Sequence, residues 1–575
     1  MDKKNRSFYL FSILLLIIAT LISYSNSFDC SFQFDDVHSI FQNSYVRDIS
    51  KFSDLNYWFN FYNRAPAQFT LALNYKYGQL DVFGYHVVNL IIHALSSILV
   101  FVLTGLLLRS ISIKQRYIIN NRKYIQLFTA LIFAVHPIQT QSVTYIIQRM
   151  ESLSGMFYLG ALIFYFFARS NRKKTLNFLL FGLFALLAVL TKQTSFSLPL
   201  SIMLLEIFFI RGIEDKISRK VVYSIVGILS GTALVMLIKN TLPRETYDIS
   251  RLDYFTAQLT VIPKYIFLSF IPVGQNLDHD ILMPEGFFTA KVLGGSVLIA
   301  GLFVISVFLY KKEKMISFGI FWFFALLALR SSILPIGDLM YEHRLYMSIF
   351  GYGLLITSTV FYLNEKFKLN RTIKLFPLII LSVITVAYSV STFQRNKVWK
   401  TDISLWADSV KKSPDKFRPN YNIAEALKRN RHIDKALNFY LKANSIEPNS
   451  YGTCNNIGNI YYEKNNVEKA KEFYRKAINI NPDYTKTLNN LANIYLTEKN
   501  YPEAEKLYLK ALSVDEKYID ALFNLGNLYY LTGRNEEALD TYEKVILLKP
   551  DHKAAQENYD TLNKIMKDKV IENGK

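Results

Sequence analysis

The chain has 575 residues, 51% of them apolar and 19% charged, with a mean hydropathy of +0.16 and a formal net charge of +20. Residues 1–399 carry 38 Lys/Arg against 21 Asp/Glu and residues 400–575 carry 28 against 25, so +17 of that charge belongs to the apolar part. A basic excess confined to short loops between apolar runs is the positive-inside pattern and excludes nucleic acid as the partner; two cysteines, Cys30 and Cys454, are too few for a disulfide framework or a zinc cluster.

The amino terminus, MDKKNR, leads into an apolar run at 8–25 that is long enough to cross a bilayer. SYSNS follows where a small-residue cleavage site would be needed, so the run is read as an anchor rather than a signal peptide. FQFDDVHSIFQN then places Asp35 and Asp36 beyond the span. Paired carboxylates beside a membrane-bound site supply a general base, one accepting the proton and the other orienting it or binding a cation; a solvated acidic loop is the bland alternative. Adjacent side chains diverge, and Asp36 is favoured as the one facing a pocket.

Further spans are predicted at 86–108, 124–139, 152–168, 175–191, 194–211, 220–239, 290–310, 315–334, 345–363 and 374–393, eleven in all. In the second, His86, Asn89 and His93 share a helix face, which suits a polar seam between helices as well as a ligand contact. The third ends in FAVHPIQTQSVTYIIQRMES, where His136-Pro137 stops the helix and Arg149 and Glu151 follow. Lys192 stands in LTKQTS. The stretch 255–272, with Pro263, Lys264 and Pro272, is read as re-entrant or interfacial, because a full crossing would put the following KKEK on the wrong side. QNLDHD holds Asp278, His279 and Asp280, and GDLMYEHRLY holds Asp338, Glu342, His343 and Arg344. The loops near Arg109–Lys123, Arg169–Lys174, Arg211–Lys220, Lys311–Lys314 and Glu365–Lys374 are predicted to be cytoplasmic, with the polar clusters and residues 394–575 outside.

Beyond a linker at 394–415, Pro414, Pro448, Pro482 and Pro550 are spaced by 34 residues or a multiple, with Glu516 in the missing register. That is the tetratricopeptide (TPR) period. Ala424, Gly458, Ala492 and Gly526 hold one small-residue position, Ala436, Ala470, Ala504 and Ala538 another, and Tyr440, Tyr474, Tyr508 and Tyr542 an aromatic one. Four repeats are predicted at 416–551, followed by a capping helix and tail at 552–575. Asn456, Asn490, Asn493 and Asn524 fall on the first helices of repeats, where an amide suits contact with a peptide backbone or caps and solvates the helix.

Polar groups at membrane depth are functional candidates, and here they gather on one face. Arg149, Arg344 and Lys192 suit a phosphate, the arginines as forks and the lysine as a point charge, with an aspartate taking a proton from an acceptor hydroxyl. An anionic donor, a hydroxyl acceptor and an outward site point to a lipid-phosphate sugar. No P-loop, GxSxG, HExxH or CxxC context occurs. No cofactor is required by the sequence, no metal site is assigned, and assistance by a divalent ion is left open.

The segments FDDVHSIFQN, HVVNLIIHALSSILVF, FAVHPIQTQSVTYIIQRMES, LTKQTSFSLPL, QNLDHD and EHRLYM, followed by outer TPRs, resemble the TPR-bearing transmembrane protein O-mannosyltransferases and their bacterial relatives, glycosyltransferases of the GT-C class. The resemblance implies an all-α fold, a polytopic membrane domain at 1–393 ahead of a TPR solenoid. It also implies inverting transfer of mannose or a similar hexose from a polyprenyl- or dolichyl-phosphate to Ser/Thr of exported polypeptides bound by the TPRs. By that match Asp35 or Asp36 is the base, and Arg149 and the Glu342-His343-Arg344 trio belong to donor binding; His93, His136, Glu151 and Lys192 complete the set of donor-binding candidates. Gln141 and Gln193 stand where the family pattern has glutamate. The expected location is a bacterial inner membrane with TPRs in the periplasm, or an ER membrane with lumenal TPRs; no ER-retention tail is seen. A non-enzymatic membrane-anchored TPR scaffold is the rival, and a transporter would place polar groups through the midplane instead.

Overall fold

The computed structural model describes residues 3–60, 62–110, 112–170, 173–210, 227, 231, 249–331, 335, 338–367 and 375–573. Among these the fold is all-α, in two compact units, 1–412 and 413–575. The long helices of the first unit are α1 (Lys3–Tyr24), α2 (Ala65–Gly78), α3 (Val82–Leu108), α4 (Arg116–Val135), α5 (Arg149–Arg169), α6 (Lys174–Thr191), α7 (Leu198–Leu205, continued by a π-turn to Ile210) and α8 (Arg251–Phe270). They are followed by α9 (Ala290–Lys312), α10 (Lys314–Leu327), α11 (Ser348–Lys366), α12 (Phe376–Asn396) and α13 (Asp402–Lys412).

Local chemistry sets the ends. The Asp81 carboxylate caps α3 by accepting from the Phe83 amide at 3.0 Å. His136-Pro137 stops α4, and the freed Ile138 amide donates to His136 Nδ1 at 3.2 Å. Glycine permits close helix crossings: a Cβ on Gly295 of α9 would overlap the Leu259 carbonyl of α8, and one on Gly319 of α10 would lie 2.6 Å from the Gly351 carbonyl of α11.

Among the described residues seven segments are long and apolar enough to cross a membrane: Arg6–Tyr24, Val82–Leu108, Ile146–Arg169, Lys174–Thr191, Gln193–Ile210, Ala290–Lys312 and Phe376–Trp399. Three more helices run between the same two ends of the bundle. Of these, α10 has only 14 residues, and the first turns of α4 carry Arg116, Arg122 and Lys123. The predicted span at 220–239 lies outside the described residues except at positions 227 and 231.

The described residues beside the predicted cytoplasmic loops at 109–123 and 311–314 share one end, the basic end, with the close of α7. Gln115 donates to the Lys312 carbonyl at 2.7 Å, Ser110 to that of Phe209 at 2.7 Å and Lys314 to that of Phe208 at 3.1 Å. At the opposite end His86 meets the Cys30 carbonyl at 2.9 Å, and Asn396 meets Ser23 and Thr144. Helix α8 runs unbroken through Pro263, which excludes the re-entrant form of that expectation. Both its ends meet opposite-end groups: Tyr254 Oη donates to the Arg330 carbonyl, and the Ser269 carbonyl bonds His136 Nε2. The two ends of α8 thus meet groups of the same end of the bundle.

The segment 394–415, expected to be a linker, is mostly part of the first unit. Trp399 and Trp406 are buried, the Trp406 ring meets Phe34 edge-on at 5.4 Å, and Asp408 pairs with Arg395 at 2.6 Å and with Lys412 at 2.7 Å. An amphipathic helix with two tryptophans on its approach and first turns buries too much apolar surface to stay solvated.

The second unit pairs α14 (Phe417–Arg429) with α15 (Ile433–Ile446), α16 (Tyr451–Glu463) with α17 (Val467–Ile480), α18 (Thr485–Thr497) with α19 (Tyr501–Val514) and α20 (Ile519–Leu531) with α21 (Asn535–Leu548). Helix α22 (Lys553–Asn573) caps the array. The turn inside each pair is left-handed, at Arg431, Asn465, Lys499 and Gly533 (φ 60°, 58°, 62° and 78°). Each repeat's buried tyrosine lies under its small residue; a Cβ on Gly458 would fall 2.5 Å from the Tyr474 ring. The ring hydroxyl then bonds fifteen residues back, Tyr474 to Asn459 at 2.7 Å and Tyr542 to Asn527 at 2.7 Å.

Candidate functional site

At the opposite end, the loop after α1 is pinned by Asp36. Its carboxylate is fully buried, Oδ2 accepting the Gln33 amide at 2.8 Å and Oδ1 the Ile147 amide at 2.7 Å. Burial pushes this carboxyl up to about 8, against those two amide donors, which favour the charged form. Asp35 is exposed, and its own amide donates to Tyr145 Oη at 2.9 Å. Phe34 turns the chain there with a left-handed φ of 39°, a conformation that costs a non-glycine residue energy and recurs at functional sites. The preference for Asp36 is therefore reversed: its oxygens are occupied by backbone, and Asp35 is the carboxylate presented outward.

One residue beyond Ile147 a cluster of cations begins. Lys192 Nζ lies 2.9 Å from Gln148 Oε1 and 2.7 Å from Glu151 Oε2. Arg330 approaches the same Glu151 oxygen at 3.4 Å, and Thr194 donates to Oε1 at 3.4 Å. Glu151, Thr194, Ser195 and Arg344 line one small cavity. The Arg344 guanidinium donates to the carbonyls of Leu339 (3.1 Å) and Asp338 (2.6 Å) and lies 5.6 Å from the Tyr341 ring. His343 stacks on Tyr341 with centroids 5.0 Å apart, and its amide donates to Gln141 Oε1 at 2.7 Å. Burial, and then the fields of Lys192, Arg330, Arg344 and Arg64, hold His343 well below its ordinary value, so the ring is neutral. Its Nδ1 is buried without a hydrogen-bond partner among the described residues.

Lys192 and Arg330 on Glu151, Arg344 on the wall of the same cavity and a neutral imidazole suit an oxyanion. Ser154, Thr194 and Ser195 add hydroxyls to the cavity wall, of the kind that bond sugars. Among the described residues no three His, Cys, Asp or Glu side chains gather to hold a metal ion.

The structure thus brings together Glu151, Lys192, His343 and Arg344. It spends four other predicted donor residues elsewhere. Arg149 is fully buried, and its guanidinium bonds Asn89 Oδ1 (2.5 Å), Asn74 Oδ1 (2.7 Å), Thr70 Oγ1 (3.3 Å) and the Tyr85 carbonyl (2.8 Å), so it braces α2, α3 and α5 and offers no fork to a ligand. His93 bridges Tyr346 Oη and the Ala134 carbonyl, both at 2.9 Å. His136 bonds Ser269 and caps Ile138. Glu342 accepts from Gln275 (3.1 Å), the Asn276 amide (2.5 Å) and His279 (2.8 Å), which fixes the QNLDHD loop.

Sequence reasoning missed Arg64 and Arg330. The signal was available: both, with Lys192 and Arg344, are basic residues at the end of the bundle where the positive-inside pattern leaves few.

In the repeats the predicted amides are engaged within the array. Asn456 Nδ2 donates to Tyr421 Oη (3.1 Å) and Glu425 Oε1 (2.7 Å), Asn490 Nδ2 to Asn455 Oδ1 (3.1 Å) and Asn459 Oδ1 (2.9 Å), and Asn524 Nδ2 to Asn489 Oδ1 (3.0 Å). Asn493 Oδ1 accepts from Tyr508 at 2.5 Å. All four are half-buried, and they tie successive helices together.

Tetratricopeptide-repeat family profiles match residues 417–450, 452–484 and 483–548. The chain is 24% identical, in an alignment of 494 residues that covers 76% of it, to "Protein O-mannosyl-transferase TMTC3" of Homo sapiens, and 26% identical, in an alignment of 472 residues that covers 78% of it, to "Protein O-mannosyl-transferase F38B6.6" of Caenorhabditis elegans. It covers 52% and 64% of those two proteins, so it spans between half and two thirds of the relatives it matches. Among solved structures, "Crystal structure of MamA" covers 26% of this chain and 89% of its own, with a TM-score of 0.25 and 17% identity. The chain is a membrane protein with tetratricopeptide repeats, similar over about three quarters of its length to proteins named protein O-mannosyl-transferase.

Proposed function

We propose that the chain is a GT-C glycosyltransferase that moves mannose or a similar hexose from a polyprenyl-phosphate to Ser/Thr hydroxyls of exported proteins, with inversion. The single observation that carries this reading is the gathering of Lys192, Arg330 and Arg344 around Glu151. That cluster adjoins the ledge at 145–148, to which the Asp35-Asp36 loop is bonded. In the proposed step the acceptor oxygen attacks the anomeric carbon as its proton passes to the Asp35 carboxylate. The bond from that carbon to the phosphate oxygen breaks, and the lipid phosphate leaves with the electron pair. One displacement inverts the carbon. The cations neutralise charge that grows on the leaving phosphate, the electrostatic term that such a transfer needs most.

The basic end is cytoplasmic in this reading and the site faces the periplasm, or the ER lumen in a eukaryotic setting. The repeats, which follow α13 in the chain, hold the acceptor polypeptide in this reading. Incubating purified protein with a panel of polyprenyl-phosphate sugars and an acceptor peptide, and following the released lipid phosphate, tests the reading. Turnover that Asp35→Asn removes supports it, whereas a folded protein inert to every donor points to a scaffold.

A further inference from the structure

At the basic end, α1, α3 and α4 surround a crevice of about 630 Å³ that the proposed transfer does not use. Phe8, Leu108 and Ile119 give it an apolar lining, and Arg109, Arg122 and Lys123 give it a basic rim. No Asp or Glu occurs in the chain between Asp81 and Glu151 to neutralise that rim. Helix α4 bends at the crevice, where Asn121 leaves the helical region (φ −114°, ψ 15°) and its Nδ2 donates to the Tyr117 carbonyl at 2.8 Å.

Among the described residues Lys123 and Arg109 meet aromatic rings rather than carboxylates. Lys123 Nζ lies 5.3 Å from the Phe8 ring, and the Arg109 guanidinium lies 5.6 Å from the Tyr9 ring and bonds its hydroxyl. Arg122 Nε is buried without a hydrogen-bond partner among the described residues. A buried guanidinium N–H without an acceptor is costly, and an anionic oxygen satisfies it. Next to Phe8, α1 exposes Leu10, Phe11 and Leu14, an apolar track suited to acyl chains.

We propose that this crevice binds an anionic phospholipid, its phosphate among Arg109, Arg122 and Lys123 and its chains along α1. A basic recess between spans, at the depth where loop meets bilayer, recognises headgroup charge, and an apolar lining adds nothing for a free phosphate. Calling the leaflet cytoplasmic rests on the orientation given above; the binding itself does not, so the two fail separately.

Native mass spectrometry of the full-length protein in neutral detergent, titrated with phosphatidylglycerol, phosphatidylcholine or inorganic phosphate, tests this. Phosphatidylglycerol should be retained at least about tenfold more tightly than phosphatidylcholine, and phosphate should not displace it. The triple variant Arg109→Gln/Arg122→Gln/Lys123→Gln should lose the preference, while Lys311→Gln/Lys312→Gln, at the same end, should keep it. Ile119→Glu places a carboxylate in the rim at an exposed position outside the core and should reproduce the loss in a protein that still folds. Equal retention of the two lipids, displacement by phosphate, equal losses in the triple and double variants, or normal binding by Ile119→Glu would each overturn the proposal.

Discussion

Asp35 and Asp36 are neighbours in opposite surroundings, and the contrast separates their roles. Asp35→Asn keeps the shape of an exposed side chain and removes its charge, so turnover should fall by about 10²–10⁴-fold with the unfolding midpoint unchanged. Asp36→Asn turns an NH2 group towards a backbone N–H that now donates to it, and should lower stability by about 1–3 kcal/mol. Because burial raises the Asp36 carboxyl from 3.8 to about 8, the folded state holds its proton over a window in which the unfolded state has lost it. The stability tied to this group is therefore fully present below about 3.8, falls as pH rises towards about 8 and is level above. Unfolding midpoints across that window should slope in the parent protein and be flatter in Asp36→Asn. The arginines divide in the same way. Arg330→Ala should weaken binding of a polyprenyl phosphate about tenfold or more, since a charge-assisted bond is worth about 1.5–3 kcal/mol. Arg149→Ala should leave Asn89, Asn74 and the Tyr85 carbonyl unsatisfied and show its effect in thermal unfolding first. Lipid-phosphate titration paired with melting curves separates the two, and equal loss of affinity at equal stability would refute the assignment.

Helix α13 marks where the membrane unit ends. Trp399, Trp406, Asp408 and Lys412 all pack within residues 1–412, and Lys412 Nζ donates to the Gln275 carbonyl at 2.5 Å. A chain stopped after Lys412 should fold and turn over donor with a short peptide yet glycosylate an intact acceptor poorly; one stopped after Phe393 should lose detergent-stable folding. Size-exclusion profiles and donor turnover of the two truncations check this. The repeats were legible in the sequence because a 34-residue period repeats its own signal, whereas α13 is a single helix with no second copy, and eleven residues of mixed polarity read as a linker. Spans were legible from hydropathy, but α10 is short and α4 begins with cations, so neither stands out by apolarity alone. In the site, types of residue were visible and directions were not. Arg149 and Arg344 look alike in sequence, and only packing turns one into α2, α3 and α5 and leaves the other on a cavity.

The sequence sorts the charge of its loops, and in the proposed reading that sorting sets the orientation. Thiols introduced at Lys173 and Lys312 should resist an impermeant reagent in intact cells, and one at Lys499 should react in spheroplasts or permeabilised outer membranes; the opposite pattern would invert the topology. Against that sorting, Arg64, Lys192, Arg330 and Arg344 sit at the other end. In an energised membrane, negative inside, each cation delivered outward moves against the potential, at about 2.3 kcal/mol per 100 mV for a full crossing. Glu151, carried in the same span as Arg149 and paired with Lys192, offsets one of those charges during insertion as well as in the finished fold. The site proposed for a phosphate is for that reason also a biogenesis problem, and in that reading the carboxylate of Glu151 links the electrical work of assembling the protein to the chemistry that follows.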